Sequence, residues 1–198
     1  MPTDTLPASG EFWSALRARH PGFRASVRAD ASVNALYRGE RHEFRSGLDA
    51  ALQCVRLAWV SDAFLAQVLY RLKARLQALG VPLLPRVAHR LAIVTGQVAI
   101  GDPVVIEPGV YLVHGQVVID GVTEIGSKAM IAPFVTLGLK AGELRGPTLE
   151  RGVSVGTGAR IIGPVRVGEG ATIGANAVVV RDVPAGATVA GVPAAPLG

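Results

Sequence analysis

Aliphatic residues in the second half of the chain keep a beat of six. Val94, Ile100, Ile106, Leu112 and Val118 stand six apart. The count then slips by one residue and resumes at Ile125, Ile131 and Leu137; after a longer gap come Leu149, Val155, Ile161, Val167, Ile173 and Val179. Four places after most of these stands a second small or branched residue, such as Val98, Val104, Val110, Ala129, Val135, Val153, Ala159, Ala171 or Ala177. An α-helix repeats every 3.6 residues and a strand every two, so neither produces sixes. Short strands joined by corners do: three hexapeptides make one coil of a triangular prism, and coils stack at about 4.8 Å. The aliphatic is expected on the axis and the small residue at the narrowing corner. Glycine often follows the aliphatic (Gly101, Gly126, Gly156, Gly168, Gly174), where it is expected to relieve backbone conformations closed to other residues. The predicted fold is mainly β, a parallel β-helix of hexapeptide repeats over residues 94–198, with a loop at 138–148 (GLKAGELRGPT) and a short C-terminal tail.

Upstream the period changes. Leu48, Leu52, Val55 and Trp59 recur at i, i+4, i+7 and i+11, the apolar face of a helix. Ser61 and Asp62 can cap a second helix, because their side-chain oxygens accept from its free N–H groups. Its buried side is expected to carry Phe64, Leu65, Val68, Leu69, Leu72 and Leu76, with Arg71, Lys73 and Arg75 elsewhere. Gly80 suits its end, and Pro82 and Pro85 prevent simple continuation. A short helix follows over 86–93, and less regular helical patterns cover Glu11–His20 and Ala25–Tyr37. Residues 1–93 thus read as an α-helical N-terminal domain.

Charge divides along the same line. Residues 1–90 hold 13 Lys+Arg against 7 Asp+Glu (13 − 7 = +6), and residues 91–198 hold 7 against 8 (7 − 8 = −1). The basic surplus raises nucleic acid or an anionic membrane as partners. The few aromatics do not interleave with the cations as base stacking requires, so the cations read as a solvated helix face and neither partner is expected. No apolar run reaches the ~18 residues of a membrane span, and the first residues lack a signal-peptide layout, so a cytoplasmic protein is expected. Cys54 stands alone and the four histidines lie far apart, which leaves no disulfide and no metal-ligand spacing, and no metal is expected.

Three departures from the repeat gather near one histidine. Gln116 puts a polar side chain where Val or Ala is otherwise found, His114 stands two residues earlier, and the register slips close to Asp120-Gly121. Such irregularities re-aim side chains and often adjoin active sites. The loop at 138–148 leaves the prism further on, and loops on a rigid scaffold commonly carry function.

The segments PGVYLVHGQVVIDG (108–121), VTLG (135–138), RGPTLERGVSVGTGARIIG (145–163) and VVVRDVPAGATVAGVPA (178–194), with a helical domain ahead of them, resemble the serine acetyltransferases among the hexapeptide acyltransferases. The likeness covers roughly residues 45–194. It implies a left-handed β-helix, a homotrimer with active sites in clefts between neighbouring prisms, and acetyl-CoA as co-substrate; pairing of two trimers is left open. It implies His114 as general base for direct acetyl transfer to an acceptor hydroxyl (or amine), Arg145 as substrate-binding, and Gly138, Thr157, Ala175 and Arg181 as CoA-binding, Gly138 lying where backbone N–H groups would hold the oxyanion; Gln116, by its place beside His114, is a further substrate-binding candidate.

The departures from that family concern the amino acid. Its acid partner fifteen residues before the histidine is Ala99 here, its acid just before the histidine is Val113, and its Arg-His-Pro is Arg145-Gly146-Pro147. Asp102, Glu107 or Asp120 could replace the acid partner. The family's extended tail, which binds cysteine synthase, has no counterpart after Ala195, so that complex is not expected. The acceptor is therefore expected to differ from serine, with Lys140 and Arg145 suited to an acidic one. The alternative is a catalytically silent trimeric scaffold or regulator; a metal-dependent hydratase would need three histidines around zinc.

Overall fold

The computed structural model describes residues 10–197. Five helices come first: α1 (Gly10–Ala18), α2 (Phe23–Tyr37), α3 (Gly47–Val60), α4 (Asp62–Ala78) and α5 (Leu84–Gly96). Ser61, foreseen as a cap, accepts through Oγ from Phe64 N at the start of α4, and Ser46 Oγ does the same for Asp49 N at the start of α3. The strands β1–β15 then sort into three sheets. The first holds β1 (Val98–Ile100), β4 (Val117–Ile119), β7 (Thr136–Gly138), β10 (Arg160–Ile162) and β13 (Val178–Val179). The second holds β2 (Val105–Ile106), β5 (Val122–Ile125), β8 (Arg145–Leu149) and β11 (Arg166–Val167). The third holds β3 (Tyr111–Leu112), β6 (Met130–Ile131), β9 (Ser154–Val155), β12 (Thr172–Ile173), β14 (Thr188–Ala190) and β15 (Ala195–Pro196). All pairings are parallel except β14 with β15, and the chain visits the sheets in rotation, a left-handed parallel β-helix of about five coils.

The beat of six marks the axis with two exceptions. Val94 belongs to α5 and is exposed. Val118 points to solvent, whereas Ile119 fills the axis between Ile100 and Leu137. The step from Leu112 to Ile119 is seven residues; with Leu112 paired to Ile131 and Val118 to Thr136, the extra residue falls at His114, ahead of Asp120-Gly121. Gln116 takes the left-handed corner conformation (φ 64°) that Phe134 and Asn176 repeat in later coils. The glycines after the axial aliphatics also have a different cause from the one expected. A Cβ on Gly126 would lie 2.7 Å from Arg151 N, and one on Gly168 would lie 2.4 Å from Ala185 N. Coils approach too closely there for any side chain. The loop is shorter than 138–148: β7 runs to Gly138 and β8 begins at Arg145, with a bulge opposite Val122–Glu124.

The largest correction concerns α4. Its buried side carries Ala66, Gln67, Tyr70, Arg71, Lys73 and Ala74, whereas Leu65, Val68, Leu69, Leu72 and Leu76 are only partly buried. The first coil explains this. Its outer edge has no further coil to pair with, and buried carbonyls there need donors. Helix α4 supplies them: Gln67 Nε2 donates to Val110 O (3.0 Å), Tyr70 Oη to Val104 O (2.8 Å) and Lys73 Nζ to Ile100 O (2.6 Å). Arg71 donates to Ile106 O, to Glu107 O (2.8 Å) and to the buried carboxylate of Asp30 (2.9 Å), which in turn accepts from Gly109 N. Two of the basic residues expected on a solvated face are thus the rivets between the domains.

His20 sits in this joint, its ring 6.2 Å from that of Tyr70. Burial first, and then the cations Arg71, Lys73 and Arg19, lower its pKa from 6.5 to about 4. An unfolded chain therefore binds a proton at this residue between those values that the folded chain does not, and stability falls as pH drops through that window. His20→Gln is expected to shrink the loss of urea midpoint between pH 7 and pH 4.5; an unchanged slope would refute the role. Register is tested separately. Ile119→Ala is expected to cost about 2–5 kcal/mol and Val118→Ala under about 0.5 kcal/mol in chemical denaturation, the reverse of what an uninterrupted beat implies.

Candidate active site

The corner joining the third sheet to the first carries His114. Its imidazole is exposed, as are Gln116, Thr157 and Ala175 on the same corner. The register lines these residues up: Val118 pairs with Thr136, Thr136 with Arg160, and Arg160 with Val178. Each corner residue thus stacks on its counterpart one coil along. Pro133, Thr157 and Ala175 follow Gly115 in one column, bonded from coil to coil by Gly158 N to Pro133 O (2.9 Å) and Asn176 N to Thr157 O (2.8 Å). His114 and Thr157 are two coils apart, about 10 Å at the strand spacing.

Helix α5 fixes the position of His114. Gly96, its last residue, packs against Gly115 so closely that a Cβ on Gly115 would lie 1.8 Å from Gly96 O. Gln97 ends the helix in the left-handed region (φ 52°), and Gln97 O accepts from Val117 N (3.2 Å). The helix terminus thus takes the place of a preceding corner and holds the histidine's backbone from one side. Sequence reasoning missed this support, although the matched phases of Gly96–Gln97 and Gly115–Gln116 ahead of Val98 and Val117 were there to be read.

Gly138, Arg145 and Arg181 lie along the other edge of the first sheet. Gly138 ends β7 and its carbonyl accepts from Gly163 N (2.9 Å). Arg145 opens β8 opposite Val122, and Arg181 follows β13; both are exposed. The loop 139–144 folds back on this corner, with Leu144 O accepting from Val122 N (3.0 Å). Within one chain, then, the candidate residues form two groups. His114, Gln116, Thr157 and Ala175 share one edge, and Gly138, Arg145 and Arg181 share the other, a sheet width of about 15 Å away at ~3.3 Å per residue.

The candidate replacements for the acid partner are not at the histidine's corner. Asp102 pairs with Lys73 Nζ (2.9 Å), Glu107 accepts from Ser127 N (3.0 Å), and Asp120 accepts from Gly121 N (2.8 Å) at the opposite edge. Ala99 lies on the outer face of the first sheet beside Val118. At Gly146 a Cβ would lie 2.0 Å from Thr123 Oγ1, which donates to Asp120 O; this backbone has no room for a histidine there. Cys54 is half-buried on α3, and burial pushes its thiol pKa up, which disfavours a nucleophilic role. Among the described residues no group of three His, Cys, Asp or Glu side chains is placed to hold a metal ion, and no single helix is long and apolar enough to cross a membrane.

Residues 146–181 match the family model for the bacterial transferase hexapeptide (six repeats). A serine acetyltransferase of Synechococcus elongatus is 38% identical over 133 residues, covering 66% of this chain and 54% of that protein. One from Helicobacter pylori is 38% identical over 130 residues, 64% of this chain and 75% of its own length. This chain belongs to the serine acetyltransferase family. Among solved structures, a serine acetyltransferase in complex with CoA superposes with a TM-score of 0.64 at 34% identity, over 69% of this chain and 57% of that one. Against the first curated serine acetyltransferases it matches, the chain spans only 51–58% of their length.

The α5 contact has a direct test. Were His114 the base and the Thr157–Ala175 corner the CoA site, Gly115→Ala would leave CoA affinity within about two-fold by calorimetry while lowering turnover at least about ten-fold, because it would displace the imidazole and not that corner. Unchanged turnover would show that α5 does not set the histidine's position.

Proposed function

We propose that this chain is an acetyl-CoA-dependent O-acyltransferase in which His114 is the general base. The observation that carries the reading is the exposed imidazole at the head of a corner whose later coils are small or polar, beyond Pro133 and the exposed Phe134. Gly156, Thr157, Gly174 and Ala175 leave that edge without bulk, so an extended thioester arm can lie against the backbone, and the exposed cations Arg160 and Arg181 suit its phosphates. The co-substrate supplies an activated acetyl thioester. His114 takes the proton from the acceptor hydroxyl as its oxygen attacks the thioester carbonyl, and returns it to the departing thiolate. No covalent enzyme intermediate is required, in keeping with the raised thiol pKa of Cys54.

The two edges account for a homotrimer. Gly138, Arg145 and Arg181 cannot reach His114 across their own prism, but a second prism laid against the first brings its loop edge to the histidine's corner. Three such contacts close a ring. Each site then draws the base from one copy and the loop cations from the next.

Ala99, Val113 and Gly146 remove the groups expected to orient the base and to hold an amino acid, and the packing around Thr123 closes the last of these positions to histidine. The acceptor is accordingly a hydroxyl compound other than free serine, and Lys140 with Arg145 favours an acidic one. The same three positions are what supports the second reading, a silent scaffold. One experiment separates the two: purified protein, acetyl-CoA and a panel of hydroxyl and amine acceptors, with thiol release followed. His114→Ala is expected to lower the rate by about 10²–10⁴-fold while CoA binding by calorimetry persists. Binding without turnover for any acceptor, or turnover indifferent to His114→Ala, refutes the general-base reading; absence of CoA binding leaves the scaffold.

A further inference from the structure

Phe134 fits poorly in the column of residues beside His114. The residues that precede Val98, Val117, Val135, Ala159 and Ala177 stack from coil to coil and share a left-handed backbone: Gln97, Gln116, Phe134, Gly158 and Asn176, with φ of 52°, 64°, 63°, 73° and 58°. Glycine and asparagine take this conformation readily, whereas larger side chains are strained there. Phe134 is the bulkiest of the five. It is also 54% exposed, and Val118, on the adjoining outer face of the first sheet, is 45% exposed. The ring is therefore strained yet gains little from burial in its own prism. Strain of this kind gathers at active sites and ligand clamps, and an exposed apolar patch marks a surface that something covers.

We propose that Phe134 and Val118 seat the acyl end of the thioester, and that they extend the acyl group accepted beyond acetyl to short unbranched chains such as propionyl and butyryl. The inference rests on the reading of this corner as the thioester site. Phe134 lies one coil from Gln116 and one from Gly158, about 4.8 Å each way. An arm laid from Ala175 and Thr157 toward His114 must therefore cross it. The polarity of the column runs in the same order as that of such an arm. The Asn176 amide leans over Gly158, where a Cβ would lie 2.2 Å from its Oδ1, and suits the amide-bearing stretch. The ring of Phe134 follows, where the last methylenes, the sulfur and the acyl group arrive. An acetyl methyl covers little of two exposed apolar side chains, and a longer chain covers more. Each methylene moved fully from water onto such a surface raises affinity about four-fold, and one covered on a single side about two-fold.

Calorimetry of the full chain with CoA, acetyl-CoA, propionyl-CoA and butyryl-CoA, in the absence of an acceptor, is the test. The native protein is expected to gain about two- to four-fold in affinity per added methylene. Phe134→Gly and Phe134→Asn place in this backbone the residues that Gly158 and Asn176 already place there, so both variants are expected to fold. Each is expected to flatten the chain-length series while holding the affinity for CoA itself within about two-fold. A flat series in the native protein overturns the inference. So does a variant that loses affinity equally for CoA and all three thioesters, as it would if the ring served only to hold a neighbouring prism. Under either of those results the thioesters still bind the native protein and the proposed function stands. Failure of every thioester to bind the native protein removes that function and this seat together.

Discussion

A stack of coils always has a first coil, and the carbonyls on its outer edge have nowhere of their own to turn. The polar side of α4 resolves that constraint. Four side chains, Gln67, Tyr70, Arg71 and Lys73, deliver donors to Ile100, Val104, Ile106, Glu107 and Val110. A buried acceptor left without a partner costs about 1–3 kcal/mol, so five of them would make the bare prism end a serious liability. The cost of burying cations is limited because Arg71 meets Asp30 and Lys73 meets Asp102. The helical domain is thus the lid of the β-helix. The same joint explains why the first half of the chain is basic: part of its positive charge is structural.

The lid also bears on the candidate active site. Helices α4 and α5 pack on one another, and α5 ends against the corner that bears His114, with Gly96 seated on Gly115. Capping the prism and placing the histidine are therefore two consequences of one docking. Had the helices ended a coil earlier or later, a different corner would have met the terminus of α5.

The beat of six made the prism legible because every coil imposes the same demand on its axial residues, and repetition survives one error. A single inserted residue is harder to place from spacing alone. Val117, Val118 and Ile119 are all acceptable axial residues, and only the pairing of Val98 with Val117 shows that Ile119 points inward. The face of α4 was misread for a deeper reason: hydrophobic periodicity finds surfaces that bury carbon, whereas this one buries donors against a sheet edge. His114 stood out because Gln116 beside it broke the repeat. Its support from α5 did not, because the contact of Gly115 with Gly96 depends on where a helix from the other domain stops. Carbon-based reasoning also cannot tell whether a stripe such as that of α3, exposed at Leu48, Leu52, Val55 and Trp59, is covered by its own chain.

The position of α5 matters for the proposed base, which has no carboxylate partner at its own corner. The acid in a histidine pair orients the ring and stabilises its cationic form. At His114 the backbone is clamped by Gly96 at the end of α5, a partial source of the orienting role. That source is weaker than an ionised carboxylate in contact with the ring. A base so supported works best where the acceptor hydroxyl needs little help to give up its proton, or where a second copy brings further charge to the cleft. The second condition ties the proposed chemistry to assembly: Arg145 would reach the histidine only across the prism boundary of the proposed trimer, where it would be a strong charge facing the acceptor.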